Sequence, residues 1–129
     1  VAAYRELAAR ADVVVVEGVG GFCVPLNAQE DAADLAQRLG LPVLLVVGMR
    51  LGCLNHALLT AQAIRARGLK LAGWVANHID RAMTHADDNA AALEHRLAAP
   101  RIARVVFSKP PDARHIARLF DIDTLCGAI

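Results

Sequence analysis

Residues 13–21 read VVVVEGVGG: four valines, a carboxylate at Glu17, then Gly18, Val19, Gly20 and Gly21. A run of β-branched residues predicts a buried strand, and Glu17 is the first carboxylate beyond it. An oxygen donor at such a strand end suits a hard cation such as Mg²⁺. Glycines beside it would let backbone approach phosphate oxygens and would permit positive φ. The same residues also fit a tight turn carrying a surface glutamate.

Residues 48–60, GMRLGCLNHALLT, form a second candidate. The free N–H groups at the start of a helix attract anions, Arg50 lies close by, and Gly52 permits close approach. A bound carboxylate or phosphate is one reading, and an ordinary loop capped by Asn55 or a neighbour is the other. Asn77 closes a third apolar run. Its amide offers a donor and an acceptor, as a purine edge requires, and it also suits a solvated turn.

His78, Asp80, His85, Asp87 and Asp88 follow at spacings that match no zinc pattern and read as a solvated loop and helix start. His56, His95 and His115 read as surface or cap residues. The cysteines, Cys23, Cys53 and Cys126, form no CxxC pair and read as reduced thiols, which predicts a cytoplasmic protein.

Alternating segments would position these groups. Helices are expected over residues 1–10, 31–39 (closed by Gly40), 54–67 (ended by Gly68), 84–97 and 112–120. Strands are expected over residues 13–16, 43–48, 69–77 and 102–107. The strands are continuous apolar runs, as a sheet covered on both sides requires. This pattern predicts an α/β fold with a parallel sheet and helices on both faces. Ligands of open α/β sheets bind beyond the carboxyl ends of the strands, where Glu17, Gly48, Asn77 and Ser108-Lys109 gather.

Composition narrows the function classes. The chain has 129 residues, 56% of them hydrophobic and 4% aromatic, and its net charge of +1 comes from interspersed acids and bases. It has no basic stripe of the kind that binds nucleic acid. No apolar run approaches the roughly 20 residues that span a bilayer, so no membrane association is expected. Residues 1–10 read as an amphipathic helix rather than a signal peptide.

Together, DVVVVEGVGGFCVPLN (residues 12–27), LPVLLVVGMRLGCLNHALLTAQAIRARGLKLAGWVAN (residues 41–77) and the spacing between them resemble the dethiobiotin synthetase family. The resemblance is strong from Asp12 to Asn77 and faint after Pro100. It implies a P-loop NTPase-like fold and a cytoplasmic homodimer. It also implies an ATP- and Mg²⁺-dependent cyclo-ligase that joins CO₂ to 7,8-diaminononanoate in biotin synthesis. In that reaction a carbamate forms on one amine and ATP phosphorylates it. The second amine then closes the ureido ring and releases phosphate. By the same resemblance Glu17 looks like the Mg²⁺-binding glutamate, and Gly18, Val19 and Gly20 lie where the loop meets nucleotide phosphate. Asn77 matches the asparagine that reads adenine. Gly52, Cys53, Leu54 and Asn55 match the turn that reaches the neighbouring subunit's substrate carboxylate.

The chain departs from the family pattern at several points. Val19 stands where the family has Ala, His78 replaces the common acid, and Val106-Phe107 stand where a proline usually begins a base-contacting turn. The closing RLFDIDTLCGAI matches poorly. No GxxxxGK followed by Ser or Thr occurs, so the phosphate loop, its lysine and an aspartate metal ligand are expected upstream of residue 1. Residues 1–129 are therefore expected to be the C-terminal part of a single P-loop-type α/β domain. That part would hold no catalytic residue, would be inactive alone, would expose an apolar sheet edge and would need the missing N-terminal half. Two alternatives remain: a non-catalytic dimerisation module built on residues 51–64, and another P-loop-type ATP-dependent synthetase or partitioning-type ATPase.

Overall fold

The computed structural model describes residues 1–129. In chain order the elements are α1 (Ala2–Ala8), α2 (Ala32–Leu39), β1 (Val43–Met49), α3 (Cys53–Ala66), β2 (Leu71–His78), α4 (Ala86–Leu97), β3 (Arg101–Val105), α5 (Ala113–Ala117) and α6 (Ile122–Ala128). The three strands form one parallel sheet in the order β1-β2-β3.

The middle strand carries the core. Every residue from Leu71 to Ala76 is buried, because β2 has a neighbour on each edge and helices on each face. One face meets α3 and α4. Cys53, Ala57, Ala61 and Ile64 line the sheet side of α3, and Ala90, Leu93 and Leu97 line that of α4. These are helical spacings, and the alanines let the α3 axis lie close to Trp74 and Ala76. The opposite face holds Val75, Ala103 and Val105 beneath Ile116 of α5 and Phe120. The expected parallel sheet with helices on both faces is therefore present.

Helix α2 is tied to the end of α3. Asp31 caps it reciprocally with Asp34: each carboxylate accepts the other residue's backbone N–H at 2.8 Å. Arg67 pairs with Asp34 and lies 3.5 Å from Asp31. The Asp31 amide first, and then Arg67, hold the Asp34 carboxyl below the usual range. Gly40 closes α2 at φ 65°, a left-handed position that suits glycine.

Three sequence expectations are corrected. Residues 13–16 form no strand. Nothing from Ala11 to Cys23 makes a backbone–backbone hydrogen bond, and Val13 and Val15 are 78% and 87% exposed. β-propensity expresses itself only through a ladder and a covering layer, and this segment has neither. The exposed apolar edge falls instead on β1, which pairs only with β2 and leaves Val46 59% exposed. The expected helix over residues 112–120 is shorter, α5 ending at Ala117, and a second helix, α6, follows at Ile122–Ala128, where none is expected. Asp121 starts the second by accepting the Thr124 N–H at 2.9 Å and hydroxyl at 2.7 Å. At α3 the cap residue is Gly52, with φ 91° and no side-chain cap, and Asn55 lies inside the first turn.

Gly73 sits where backbone passes close to a neighbour. A Cβ there would lie 2.5 Å from Ile102 Cγ1 and 3.1 Å from the Pro100 carbonyl oxygen, which also accepts the Trp74 N–H at 2.9 Å. Gly73→Ala should lower stability by roughly 1–3 kcal/mol through overpacking. The effect should appear as a lower urea midpoint at an unchanged m-value. Native-state hydrogen exchange should separate the two apolar runs, with amides of β2 the slowest and those of residues 13–17 close to unprotected rates. Slow exchange at residues 13–17 would mean that this segment is paired in solution.

Candidate nucleotide-binding edge

Parallel strands place their carboxyl ends on one rim. There Gly48 of β1 pairs in register with Asn77 of β2, and Asn77 pairs with Val105 of β3. Asn77 follows Val75 by two residues, so strand alternation turns it toward the α5–α6 face. His78 follows Ala76 by two residues and turns toward α3 and α4. Adjacent residues at this strand end thus serve opposite faces of the sheet.

His78 is half-buried and joined to a chain of polar groups. Its Nε2 accepts a hydrogen bond from Arg104 Nε at 3.2 Å, and Arg104 pairs with Asp87 at 2.6 Å. This differs from the solvated loop and helix start expected for His78 and Asp87, because Arg104 lies further along the chain, on β3. The second half of that acidic and histidine-rich stretch behaves as expected: His85 and Asp88 are both exposed and lie 3.1 Å apart.

The turn after β1 starts a long helix. The Cys53 N–H donates to the Arg50 carbonyl at 3.0 Å, Gly52 takes its positive φ, and α3 begins. The Cys53 side chain is buried in the core, Leu54 is half-buried, and Asn55 is exposed. A ligand at this turn would therefore meet backbone N–H groups, Asn55 and the exposed Arg50, and not the Cys53 thiol.

The glycine loop is held at one end only. Phe22 packs on the α3 side of the core, and the Val24 carbonyl accepts the Ala32 N–H at 2.8 Å. Gly20 and Gly21 have φ 83° and 122°, while nothing lies within 4 Å of a Cβ built at Gly18. Glu17 and Val19 are exposed, and Glu17 forms no ion pair. No three metal-ligating side chains gather anywhere in the chain, at Glu17 included. Mg²⁺ commonly uses one or two protein carboxylates and completes its shell with phosphate and water, and an exposed Glu17 outside any ion pair fits that habit.

Two clefts flank α3. One, of about 210 Å³, follows the free edge of β1 past Arg50, His56 and Thr60. The other, of about 270 Å³, lies between Phe22, Cys23 and Leu59. They share His56 and Thr60, so α3 connects the β1 edge to the end of the glycine loop. No helix is long and apolar enough to cross a membrane.

This parallel α/β fold is P-loop NTPase-like in part. A family model described as AAA domain matches residues 1–115, and the chain belongs to that family. The chain is 60% identical over 116 residues to the ATP-dependent dethiobiotin synthetase BioD of Aromatoleum aromaticum, an alignment covering 90% of this chain and 52% of the relative. It is 56% identical over 120 residues to the protein of the same name from Nitrosospira multiformis, covering 93% of this chain and 53% of the relative. The resemblance read from residues 12–77 thus holds over most of the chain. The chain spans about half the length of these curated relatives.

Burial, and then the charge of Arg104, hold the protonation of His78 below its usual 6.5. Below pH 6.5 the unfolded chain therefore binds more protons at this site than the folded one does. The contribution of His78 to stability is complete above that pH and declines as the pH falls toward the lowered folded value. His78→Gln should flatten the dependence of the urea midpoint on pH between about 7 and 5. An unchanged slope would show that His78 does not sense its burial.

Proposed function

We propose that this chain carries the base-reading and dimer-facing part of an ATP-dependent dethiobiotin synthetase, residues 1–129 being the C-terminal part of one P-loop-type α/β domain. The observation that carries the proposal is the 60% identity over 116 residues to a relative of that name. The proposed reaction consumes ATP, CO₂ and 7,8-diaminononanoate and closes a ureido ring through a phosphorylated carbamate.

In this reading the Asn77 amide pairs with the adenine edge, donating from its NH₂ and accepting at its oxygen. Gly18, Val19 and Gly20 lie against the phosphates, where the exposure of the loop and the positive φ at Gly20 favour close backbone approach. Glu17 would hold Mg²⁺, which neutralises phosphate charge when bound. The start of α3, from Gly52 to Asn55, would meet the substrate carboxylate of a second copy in a homodimer. Support for that role comes from the uncapped helix N-terminus and from Leu51, which is 95% exposed beside it. The three free thiols support a cytoplasmic location.

The reading also makes the chain inactive alone. It would need a second half that supplies the phosphate loop, a catalytic lysine and a further metal ligand. Its open β1 edge and unpaired residues 13–16 support a requirement for more chain.

Reconstitution tests the proposal. The chain should restore growth without biotin to a dethiobiotin-synthetase deletion strain when co-produced with the unmatched part of the Aromatoleum aromaticum relative. Neither half should do so alone, and calorimetry of this chain alone with Mg·ATP should give no micromolar binding. Failure of the reassembled pair to form dethiobiotin from its substrates in vitro would overturn the assignment. Micromolar ATP binding by this chain alone would overturn the dependence on a second half.

A further inference from the structure

His78 is the last residue of β2, and the two edges of the strand end differently there. On one edge His78 pairs in register with Met49 of β1. On the other, the ladder to β3 stops one residue earlier, at Asn77 and Val105. The hydrogen bond from Arg104 Nε to His78 Nε2, 3.2 Å long, extends the hold of β3 by that one residue. Through Nη2 the same guanidinium reaches Asp87, in the first turn of α4, at 2.6 Å. One arginine side chain thus joins the end of β2 to the start of α4.

This pairing fixes a protonation state. Arginine carries donors and no acceptor, so Nε2 of His78 takes part only while it lacks a proton. An imidazolium would turn an N–H toward the Arg104 N–H and set two cations side by side. Few charged groups surround His78. Arg104 and Arg101 act on it from β3 and Asp87 from α4, which makes Asp87 the one anion. Arg101 is itself paired with Glu94 at 3.0 Å, and His85 and Asp88 pair with each other. β1 brings the uncharged Met49, and α3 turns the buried Cys53 thiol, Ala57, Ala61 and Ile64 to this face. In the loop after β2 the Asp80 carboxylate accepts the Ala82 N–H at 2.8 Å, and Arg81 stands 5.4 Å from the centre of the Phe107 ring. The Asp87 side chain is 74% exposed, so no packing prevents it from turning toward a charged imidazole.

We infer that His78, Arg104 and Asp87 form a proton-operated clamp on the end of β2. With the imidazole neutral, the clamp holds His78, and the Asn77 amide beside it, against β3. On protonation Asp87 exchanges Arg104 for His78, and the hold is released. One proton is taken from water at Nε2, and the Asp87 carboxylate changes partner without changing charge. The partly buried setting of His78 keeps the clamp closed to a pH below the ordinary 6.5 of an imidazole. At the rim, Arg104 and His78 are positioning residues that touch no ligand, and nucleotide binding at Asn77 weakens as the pH falls through the His78 titration. That consequence rests on the proposed nucleotide-binding role of the rim, whereas the clamp itself does not.

Two measurements test the clamp and its consequence separately. Ring spectra of isotope-labelled histidines are recorded on this chain across pH, with His78→Gln identifying the His78 signals. At neutral pH His78 should lack a proton at Nε2. Arg104→Gln should move its titration to higher pH by removing a neighbouring cation, and Asp87→Asn should move it lower by removing the one anion. Mg·ATP is then titrated into the chain reassembled with the complementary part of the Aromatoleum aromaticum relative. The ratio of wild type to His78→Gln cancels protonation of the ligand. Glutamine accepts from Arg104 at every pH, so His78→Gln should match the wild type within about twofold at neutral pH and bind about fivefold tighter once His78 is charged, in the range of one lost hydrogen bond. A His78 titration unmoved by Arg104→Gln or by Asp87→Asn would overturn the clamp. A ratio that stays constant across pH would overturn its link to Asn77. Absence of ATP binding by the reassembled wild type would remove the nucleotide site and that link with it, and the ring spectra would still decide the clamp. If Arg104→Gln does not fold, Asp87→Asn decides alone.

Discussion

Everything at the rim depends on β2 being enclosed on all sides. Its peptide groups bond to β1 on one edge and β3 on the other, and its side chains from Leu71 to Ala76 are buried under helices on both faces. A strand so enclosed has one permitted register, because a one-residue slip would exchange the two faces and push Asn77 and His78 inward. That constraint delivers an amide and an imidazole to the edge at fixed height and opposite orientation. The small residues along α3 follow from the same demand, since a bulkier side chain at Ala57 or Ala61 would lift the helix off Trp74.

Much of this was legible in the sequence because the signals are local. The apolar runs at residues 43–48 and 69–77 fall on β1 and β2 with small boundary shifts. Gly40, Asp31 and the α3 and α4 spacings mark helices by capping and periodicity alone. The run at residues 13–16 carried the same local signal and failed, because pairing is a property of two segments. Its propensity is satisfied only by a neighbour, and this sheet offers none to it. Likewise, no helix is expected beyond Phe120, although the Asp121 carboxylate accepts the Thr124 N–H and so starts the chain again as α6.

At the candidate site, residue types were easier to read than partnerships. Glu17, Gly20 and Asn77 stand out by their position after apolar runs. Nothing local reveals that Arg104 bonds to His78 across the strands, or that Arg81 covers Phe107. Both links join segments separated by a whole helix, so only the folded topology brings them together. The place of His78 also becomes intelligible in the fold. A neutral imidazole accepts from Arg104 while Asp87 supplies the negative charge from α4.

The one-sided ladder of β1 has a consequence for how this polypeptide behaves at different concentrations. Its outward N–H and C=O groups bond to water when molecules are sparse. An extended segment from another molecule can replace that water and, at the same stroke, cover Val46. The edge thus selects for extended segments, because only a strand can satisfy its peptide groups and shield its apolar side chain together.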